Sequence, residues 1–297
     1  MGRGGVVANL GSVLITGGTG FFGRAFTRHL LDNDMSERIC IFSRSEFAQH
    51  AFRDSLGDDD RCRWFIGDVR DQDRLRRAMA GVDLVVHAAA LKRIEVCHYN
   101  PYEAVATNVN GTINAVHAAF DAGVKRLILL STDKACEPIS TYGYTKALAE
   151  QEVLCAYQYR PRHAETIFAV TRYGNVANST GSLIPRWMNM IDNGAIEVPV
   201  TDPGCTRFWM WEHQAVKLVV DTALTMSGQE LVIPTLPAYR VGDLAEAMGV
   251  SQKILGLGSH EKRHESMRPG ETSEFASRLS IPILKTNIQL LRQEANR

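Results

Sequence analysis

Short apolar runs rich in β-branched residues recur along the chain: "SVLITG" near 12, "ICIFS" near 39, "RWFIGD" near 63, "DLVVHAAA" near 83, "RLILLST" near 126 and "IFAVTRY" near 167. Between them lie "GRAFTRHLLDN", "DRLRRAMAG", "GTINAVHAAFDAG" and "TKALAEQEVLCAYQ", whose apolar positions follow the period of an amphipathic helix. Strands alternating with helices predict βαβ units and therefore an α/β fold, a Rossmann-like doubly wound parallel sheet. The strands are apolar throughout, as a sheet covered on both faces requires.

After about residue 175 the rhythm breaks into loops with proline, glycine and tryptophan, including "GSLIPRW", "VPVTDPGCTRFWMWE" and "IPTLPAYR". The expected organisation is a dinucleotide-binding domain over 1–174 and about 212–235, with a helix near 212 to 226 returning to the main sheet. A smaller C-terminal substrate-binding region takes about 175–211 and 236–297. The polar tail from about 285 is expected to be mobile.

At 297 residues the chain can bury a substantial core. Thirty-three basic residues balance thirty-three acidic ones, so no global field favours nucleic acid or an anionic membrane as partner. Any anion site must be local. Cys40, Cys62, Cys97, Cys136, Cys155 and Cys205 form no C-x-x-C pair and have no histidines at zinc spacing, which predicts reduced thiols and no metal site. No stretch reaches the roughly 18 apolar residues of a membrane span, and the start "MGRGGVVANLGSVLITGG" lacks the form of a secretory signal. The expected location is the cytoplasm.

Candidate chemistry begins in "VLITGGTGFFGRAF", where Gly17, Gly20 and Gly23, with Thr19, Phe21 and Phe22 among them, stand between the first strand and the first helix. The three glycines suit a tight turn, close approach to a pyrophosphate, and close packing of helix on strand. Helix N-terminal N–H groups then hold the phosphates. At the end of the second strand, Ser43 and Arg44 replace the acidic residue of NAD-selective folds and suit a 2′-phosphate. The alternatives are a solvated Arg44 and a ribose contact from Glu46. NADP is the expected cofactor, with NAD possible. Asp68 and Val69 end the third strand, where an adenine edge would lie, and Ala88, Ala89 and Ala90 end the fourth, where small side chains admit a cofactor.

"STDKACEPISTYGYTK" then packs Asp133, Lys134, Tyr142 and Lys146 behind an apolar strand. If Tyr142 begins a helix, Lys146 lies one turn later on the same face. With Thr132 at the strand end, the pair can remove a hydroxyl proton while hydride leaves for a cofactor. Tyr144 is a nearby competitor for the base. Asp133 and Lys134 exceed what dehydrogenation needs and suit β-elimination: a lysine removes the proton beside a new ketone, and an acid protonates the departing hydroxyl. Lys134 would need a depressed pKa, which burial and nearby cations favour and Asp133 opposes; a structural ion pair is the bland alternative.

With these residues in place, the chain resembles the extended short-chain dehydrogenase/reductase superfamily. More narrowly, it resembles the polysaccharide-biosynthesis branch typified by inverting UDP-N-acetylglucosamine 4,6-dehydratases. The likeness spans about 11 to 265 and rests on "TGGTGFFG", "FSRSEF", "FIGDVRD", "HAAALKRIEVCHYNPYEAVATNVNGT", "LSTDKACEPISTYGYTK", "TRYGNVANSTGSLIPRW" and "TRFWM". It implies that Tyr142, Lys146 and Thr132 oxidise carbon 4 of a UDP-hexosamine, Lys134 removes the carbon 5 proton, and Asp133 helps expel the carbon 6 hydroxyl. Hydride then returns to carbon 6 and carbon 5 is inverted. It also implies Lys92 and Asn108 near the cofactor, with Lys92, Tyr173, Asn175 and Ser182 in the sugar-nucleotide pocket and Arg207 as diphosphate clamp.

The chain departs from that pattern at Thr180, where the branch carries arginine, and at Gly258, Ser259 and His260, read as replacing an Arg-Pro-Gly series. Both departures imply less positive charge near the substrate. Rival readings are a carbon 4 or carbon 5 epimerase, a 5,6-dehydratase arrested at the alkene, and an NADP-binding protein without catalysis. Helices around 102 to 120 and 142 to 158 are expected to pair across a homo-oligomer, at least a dimer, as relatives do.

Overall fold

The computed structural model describes residues 9–295; the first eight residues of the start, and with them most of the leader question, lie outside it. The first half runs β1 (Ser12–Thr16), α1 (Phe21–Asp32), β2 (Arg38–Ser43), α2 (Glu46–Ser55), β3 (Cys62–Ile66), α3 (Gln72–Ala78) and β4 (Leu84–His87). It continues through α4 (Ile94–Tyr99), α5 (Pro101–Ala104), a π-helical turn over Val105–Asn110 and α6 (Gly111–Ala122). Then come β5 (Arg126–Thr132), a 3-10 turn over Asp133–Ala135, α7 (Thr141–Tyr159) and β6 (Ile167–Tyr173).

The second half is more broken: β7 (Asn175–Val176), α8 (Leu183–Asp192), β8 (Glu197–Val200), β9 (Thr206–Met210), α9 (Glu212–Thr225) and β10 (Glu230–Val232). After these lie β11 (Ala238–Arg240), α10 (Val241–Met248), β12 (Ser251–Ile254), β13 (Ser266–Arg268), β14 (Glu271–Thr272) and α11 (Ile281–Ala295).

Seven strands form one sheet in the order β10-β6-β5-β4-β1-β2-β3, and every pairing in it is parallel. Successive residues of β1 face opposite layers. Leu14 packs with Leu75, Ala115, Ala119, Ala149 and Val153 of α3, α6 and α7, whereas Val13 and Ile15 pack with Phe26, Leu30, Val216 and Val219 of α1 and α9. Burial on both faces explains why the strands read as continuous apolar runs. The strand order reverses between β1 and β4, so the crevice at their C-terminal ends is where a doubly wound sheet binds its ligand.

A second core gathers Trp187, Trp209, Tyr239 and Leu244 beside Leu284, Ile288 and Leu291. The last three belong to α11, which corrects the expected mobile tail: its polar residues face solvent while an i, i+4, i+7 stripe is buried. Among the described residues no helix is long and apolar enough to cross a membrane.

Candidate active site

A cavity of about 1250 Å³ opens at the switch point and extends between the sheet and the second core. Its inner end is the glycine loop. Gly17 has φ +65, and a Cβ there would lie 3.0 Å from the Ala89 backbone; a Cβ on Gly23 would meet the Gly18 carbonyl oxygen at 2.5 Å. Gly20 caps α1 without a side-chain hydrogen bond, which leaves first-turn N–H groups to a phosphate. The loop thus fits a dinucleotide: side chains are excluded where backbone must approach. Thr19, Phe21, Phe22, Ser43, Arg44, Asp68, Val69, Ala88, Ala89, Ala90 and Lys92 line the same cavity. So does Ser45, which the sequence reading passed over, while Glu46 does not.

Tyr142 and Lys146 stand on the cavity wall because Ser140 caps α7, accepting from the Gly143 N–H at 3.1 Å, and so starts the helix just before the tyrosine. Lys146 Nζ donates to the Leu130 carbonyl oxygen at 2.7 Å. Burial pulls Lys146 down to about 8 against the pull of Glu150, and burial pushes Tyr142 up to about 12, with Lys134 and the Thr132 hydroxyl opposing. Tyr144 turns away and is 59% exposed, which removes it as a competitor.

Lys134 lines the cavity beside Thr132. Its Nζ donates to Asp133 Oδ1 at 3.0 Å and to Asn175 Oδ1 at 3.2 Å, and lies 3.3 Å from Glu265 Oε1. Burial alone would depress it, but the two carboxylates prevail and hold Lys134 above the usual lysine value. Glu265 is 3% exposed; burial would raise it, yet Lys134, Arg207 and Lys262 keep it below the ordinary carboxylate range. Nothing in "KRHES" announced this residue as more than a solvated charge; only packing of β13 against the 3-10 turn brings it to Lys134.

Two expected site residues sit elsewhere. Asp133 is fully buried and absent from the cavity wall; its Oδ1 accepts from the Thr132 hydroxyl at 3.0 Å and from Lys134, so it buttresses those two side chains. Asn108 is also off the wall. It clamps the Leu91 backbone, accepting from its N–H at 2.8 Å and donating to its carbonyl oxygen at 2.9 Å, and donates to Thr145 Oγ1 at 3.0 Å. It therefore fixes the loop after β4 against α7.

Tyr173, Asn175, Ser182 and Arg207 all line the outer part of the cavity. Ser182 precedes α8 with its hydroxyl buried and unpartnered. Arg207 lies 3.8 Å from Glu265 through Nε and donates to the Thr206 carbonyl oxygen at 2.8 Å. Although positions 180 and 258 carry no arginine, Arg93, Arg186 and Lys262 share the wall with Arg207, so the outer cavity holds several cations. Arg93 fills the space at Gly181, beside Thr180: a Cβ on that glycine would lie 2.9 Å from its guanidinium. Of the stretch in which Gly258, Ser259 and His260 stand for an Arg-Pro-Gly series, His260 and the following Glu261 and Lys262 line the cavity. A separate Arg268-Pro269-Gly270 run lies in the β13–β14 turn, where Arg268 pairs with Glu271 at 2.8 Å and is absent from the cavity wall, so it does not supply the arginine of that series.

A family model described as polysaccharide biosynthesis protein matches residues 13–279. The chain is 44% identical to a Campylobacter jejuni protein named UDP-N-acetylglucosamine 4,6-dehydratase (inverting), over 90% of this chain and 80% of that one. It is 38% identical to a Rickettsia canadensis protein named UDP-glucose 4-epimerase, over 88% and 78%. Among solved structures it is similar to Pen from Bacillus thuringiensis, with a TM-score of 0.90 at 31% identity, covering 96% of this chain and 100% of that chain.

Proposed function

The chain belongs to the polysaccharide biosynthesis protein family, and from that premise we propose that it is a nucleotide-sugar 4,6-dehydratase using a nicotinamide cofactor on UDP-N-acetylglucosamine or a close relative. The observation that carries this is the coexistence, in one cavity, of an oxidation set (Thr132, Tyr142, Lys146) and a separate charge cluster around Lys134. Interconverting carbon 4 epimers needs the first set only. Losing water across carbons 5 and 6 needs a further acid and base.

The glycine loop and the walls at Ser43, Asp68 and Ala88 would hold the cofactor, which supplies a hydride acceptor, later the hydride donor, and a positive charge. Tyr142 takes the proton from the carbon 4 hydroxyl. From about 12, bringing the phenol to neutrality asks for about 7 kcal/mol of preferential phenolate stabilisation, more than an exposed tyrosine would need. The protonated Lys146 contributes to it, while Thr132, held by Asp133, orients the same sugar hydroxyl. Arg207, with Arg93 and Arg186 on the same wall, neutralises the diphosphate.

Incubation with UDP-N-acetylglucosamine in deuterated water tests the reading by mass spectrometry and proton NMR. The expected product is lighter by one water, with a methyl at carbon 6 and deuterium at inverted carbon 5. Water loss without the methyl would identify an exocyclic alkene product. No water loss, with carbon 4 epimers interconverting, would establish the epimerase reading that the Rickettsia relative suggests, and no change in any UDP-sugar would leave a non-catalytic nucleotide-binding protein.

NADP is the proposed form of the cofactor, supported by Ser43, Arg44 and Ser45 on the cavity wall and by the absence of Glu46 from it. Arg44→Ala is expected to weaken NADP binding by roughly 10- to 100-fold, the worth of a charge-assisted contact, with NAD affinity nearly unchanged in calorimetry. Equal losses for both would remove the 2′-phosphate contact.

A dimer is proposed through the outer faces of α4, α5 and α7, which expose Tyr99 (87%), Tyr102 (80%), Tyr144 (59%) and Leu148 (56%). Large apolar side chains grouped on neighbouring helices mark an interaction surface. Sedimentation should give a dimer, and Leu148→Lys a monomer; a monomeric parent protein would refute this.

A further inference from the structure

We propose that, in the elimination step, the Glu265 carboxylate takes the carbon 5 proton and the Lys134 ammonium protonates the departing carbon 6 hydroxyl. This inference rests on the dehydratase reading and reverses the role the family resemblance implies for Lys134.

Lys134 Nζ has three oxygen neighbours, Asp133 Oδ1 at 3.0 Å, Asn175 Oδ1 at 3.2 Å and Glu265 Oε1 at 3.3 Å. An ammonium has three protons and no lone pair, so three acceptors around one nitrogen describe the protonated lysine. A group held in that state is an acid. Asp133 is set apart from the sugar by position: it is fully buried and off the cavity wall, its Oδ1 accepts from Thr132 and Lys134, and its Oδ2, unpartnered like Glu265 Oε2, belongs to a side chain that the cavity does not reach.

Glu265 has the opposite character. It lies on the cavity wall next to Lys134, its Oε1 faces two cations, Lys134 at 3.3 Å and Arg207 at 3.8 Å, and its Oε2 has no hydrogen-bond partner. A carboxylate so flanked stays ionised, and a buried oxygen without a donor keeps its lone pairs for a proton. The depressed pKa of Glu265 and the raised one of Lys134 agree with this direction.

The step balances. Once carbon 4 is a ketone, the carbon 5 hydrogen is acidic; its bond breaks, and an O–H bond forms on Glu265. The electron pair closes the carbon 5–carbon 6 double bond and expels the carbon 6 oxygen, which takes a proton from Lys134 and leaves as water. What remains is a carboxylic acid beside a neutral amine. Transfer of one proton from Glu265 to Lys134 across the observed 3.3 Å contact restores the resting pair.

The test compares wild type, Glu265→Gln and Glu265→Asp, each loaded with cofactor and mixed with UDP-N-acetylglucosamine in deuterated water. Three signals are read: reduced-nicotinamide absorbance, deuterium at carbon 5, and water loss. In Glu265→Gln the absorbance change should persist while carbon 5 exchange and water loss fall by about 10²- to 10⁴-fold, the range for general base catalysis. Glu265→Asp keeps the charge beside Lys134 but shortens the reach, and should lose at least about 10-fold in exchange with oxidation intact. Wild-type exchange in either variant, or recovery of Glu265→Gln activity on raising the pH to deprotonate Lys134, overturns the assignment. If wild type itself shows no absorbance change and no water loss, the dehydratase reading fails and this assignment falls with it.

Discussion

The Tyr142→Phe substitution is expected to stop the reaction before any carbon–hydrogen bond at carbon 5 is touched. The substitution deletes one oxygen from a buried pocket and leaves its packing against Cys97 and Ala104 intact, so the protein should fold and bind nucleotide sugar within about threefold of wild type. Without the phenol, its two neighbours in the set are engaged elsewhere: Lys146 donates to the Leu130 carbonyl oxygen, and the Thr132 hydroxyl donates to Asp133. The rate should fall by about 10³-fold or more, toward the upper end of what a positioned base contributes. Deuterium exchange at carbon 5 should vanish with it, because that hydrogen becomes acidic only beside a ketone. A variant that still exchanges carbon 5 would mean that oxidation does not run through Tyr142. The pH profile adds a second check. Lys146 titrates near 8, so the wild-type rate should stop rising there as the ammonium loses its charge, and Lys146→Arg, which stays protonated, should carry that limit upward.

The parts of the proposed site that were legible in the sequence share a property: the roles proposed for them are local. Gly17, Gly20 and Gly23 lie together at the turn into α1, and Tyr142 and Lys146 lie one turn apart in α7, so spacing along the chain stands in for distance in space. Glu265 has no such signature. Its meaning comes from Lys134 and Arg207, remote in sequence, and in isolation its neighbours read as a polar surface run. Asn108 illustrates the converse, a residue whose family position suggested a ligand contact and whose amide is instead spent on the Leu91 backbone and Thr145. The parallel strands were legible from their apolar runs, but not their order, which depends on crossovers that no local pattern encodes. In α11, Leu284, Ile288 and Leu291 carried a helical stripe that frequent polar residues obscured.

Replacing Lys134 by methionine should separate the two halves of the chemistry at the opposite proton from Glu265→Gln. The aliphatic stem is preserved and the ammonium removed, so the carbon 6 oxygen loses its proton donor. Hydroxide is a poor leaving group, and water loss is expected to fall by about 10²- to 10⁴-fold. Oxidation at carbon 4, assigned to Tyr142 in the proposed mechanism, should continue, which leaves reduced cofactor detectable by its absorbance. Glu265 keeps the Arg207 guanidinium at 3.8 Å, and that charge holds enough of the carboxylate ionised for carbon 5 exchange to proceed. The combination expected is therefore deuterium at carbon 5 in sugar that still carries its carbon 6 oxygen. If Lys134 were the base, the same variant would lose exchange and water loss together. Because Asp133 and Glu265 both surrender a cationic partner, the substitution also carries a stability loss of about 3 kcal/mol or more, as removal of one member of a buried ion pair does. A thermal melt measured beside the exchange experiment keeps that loss apart from the chemistry, since a folded variant that exchanges but does not eliminate can be explained only by the missing proton.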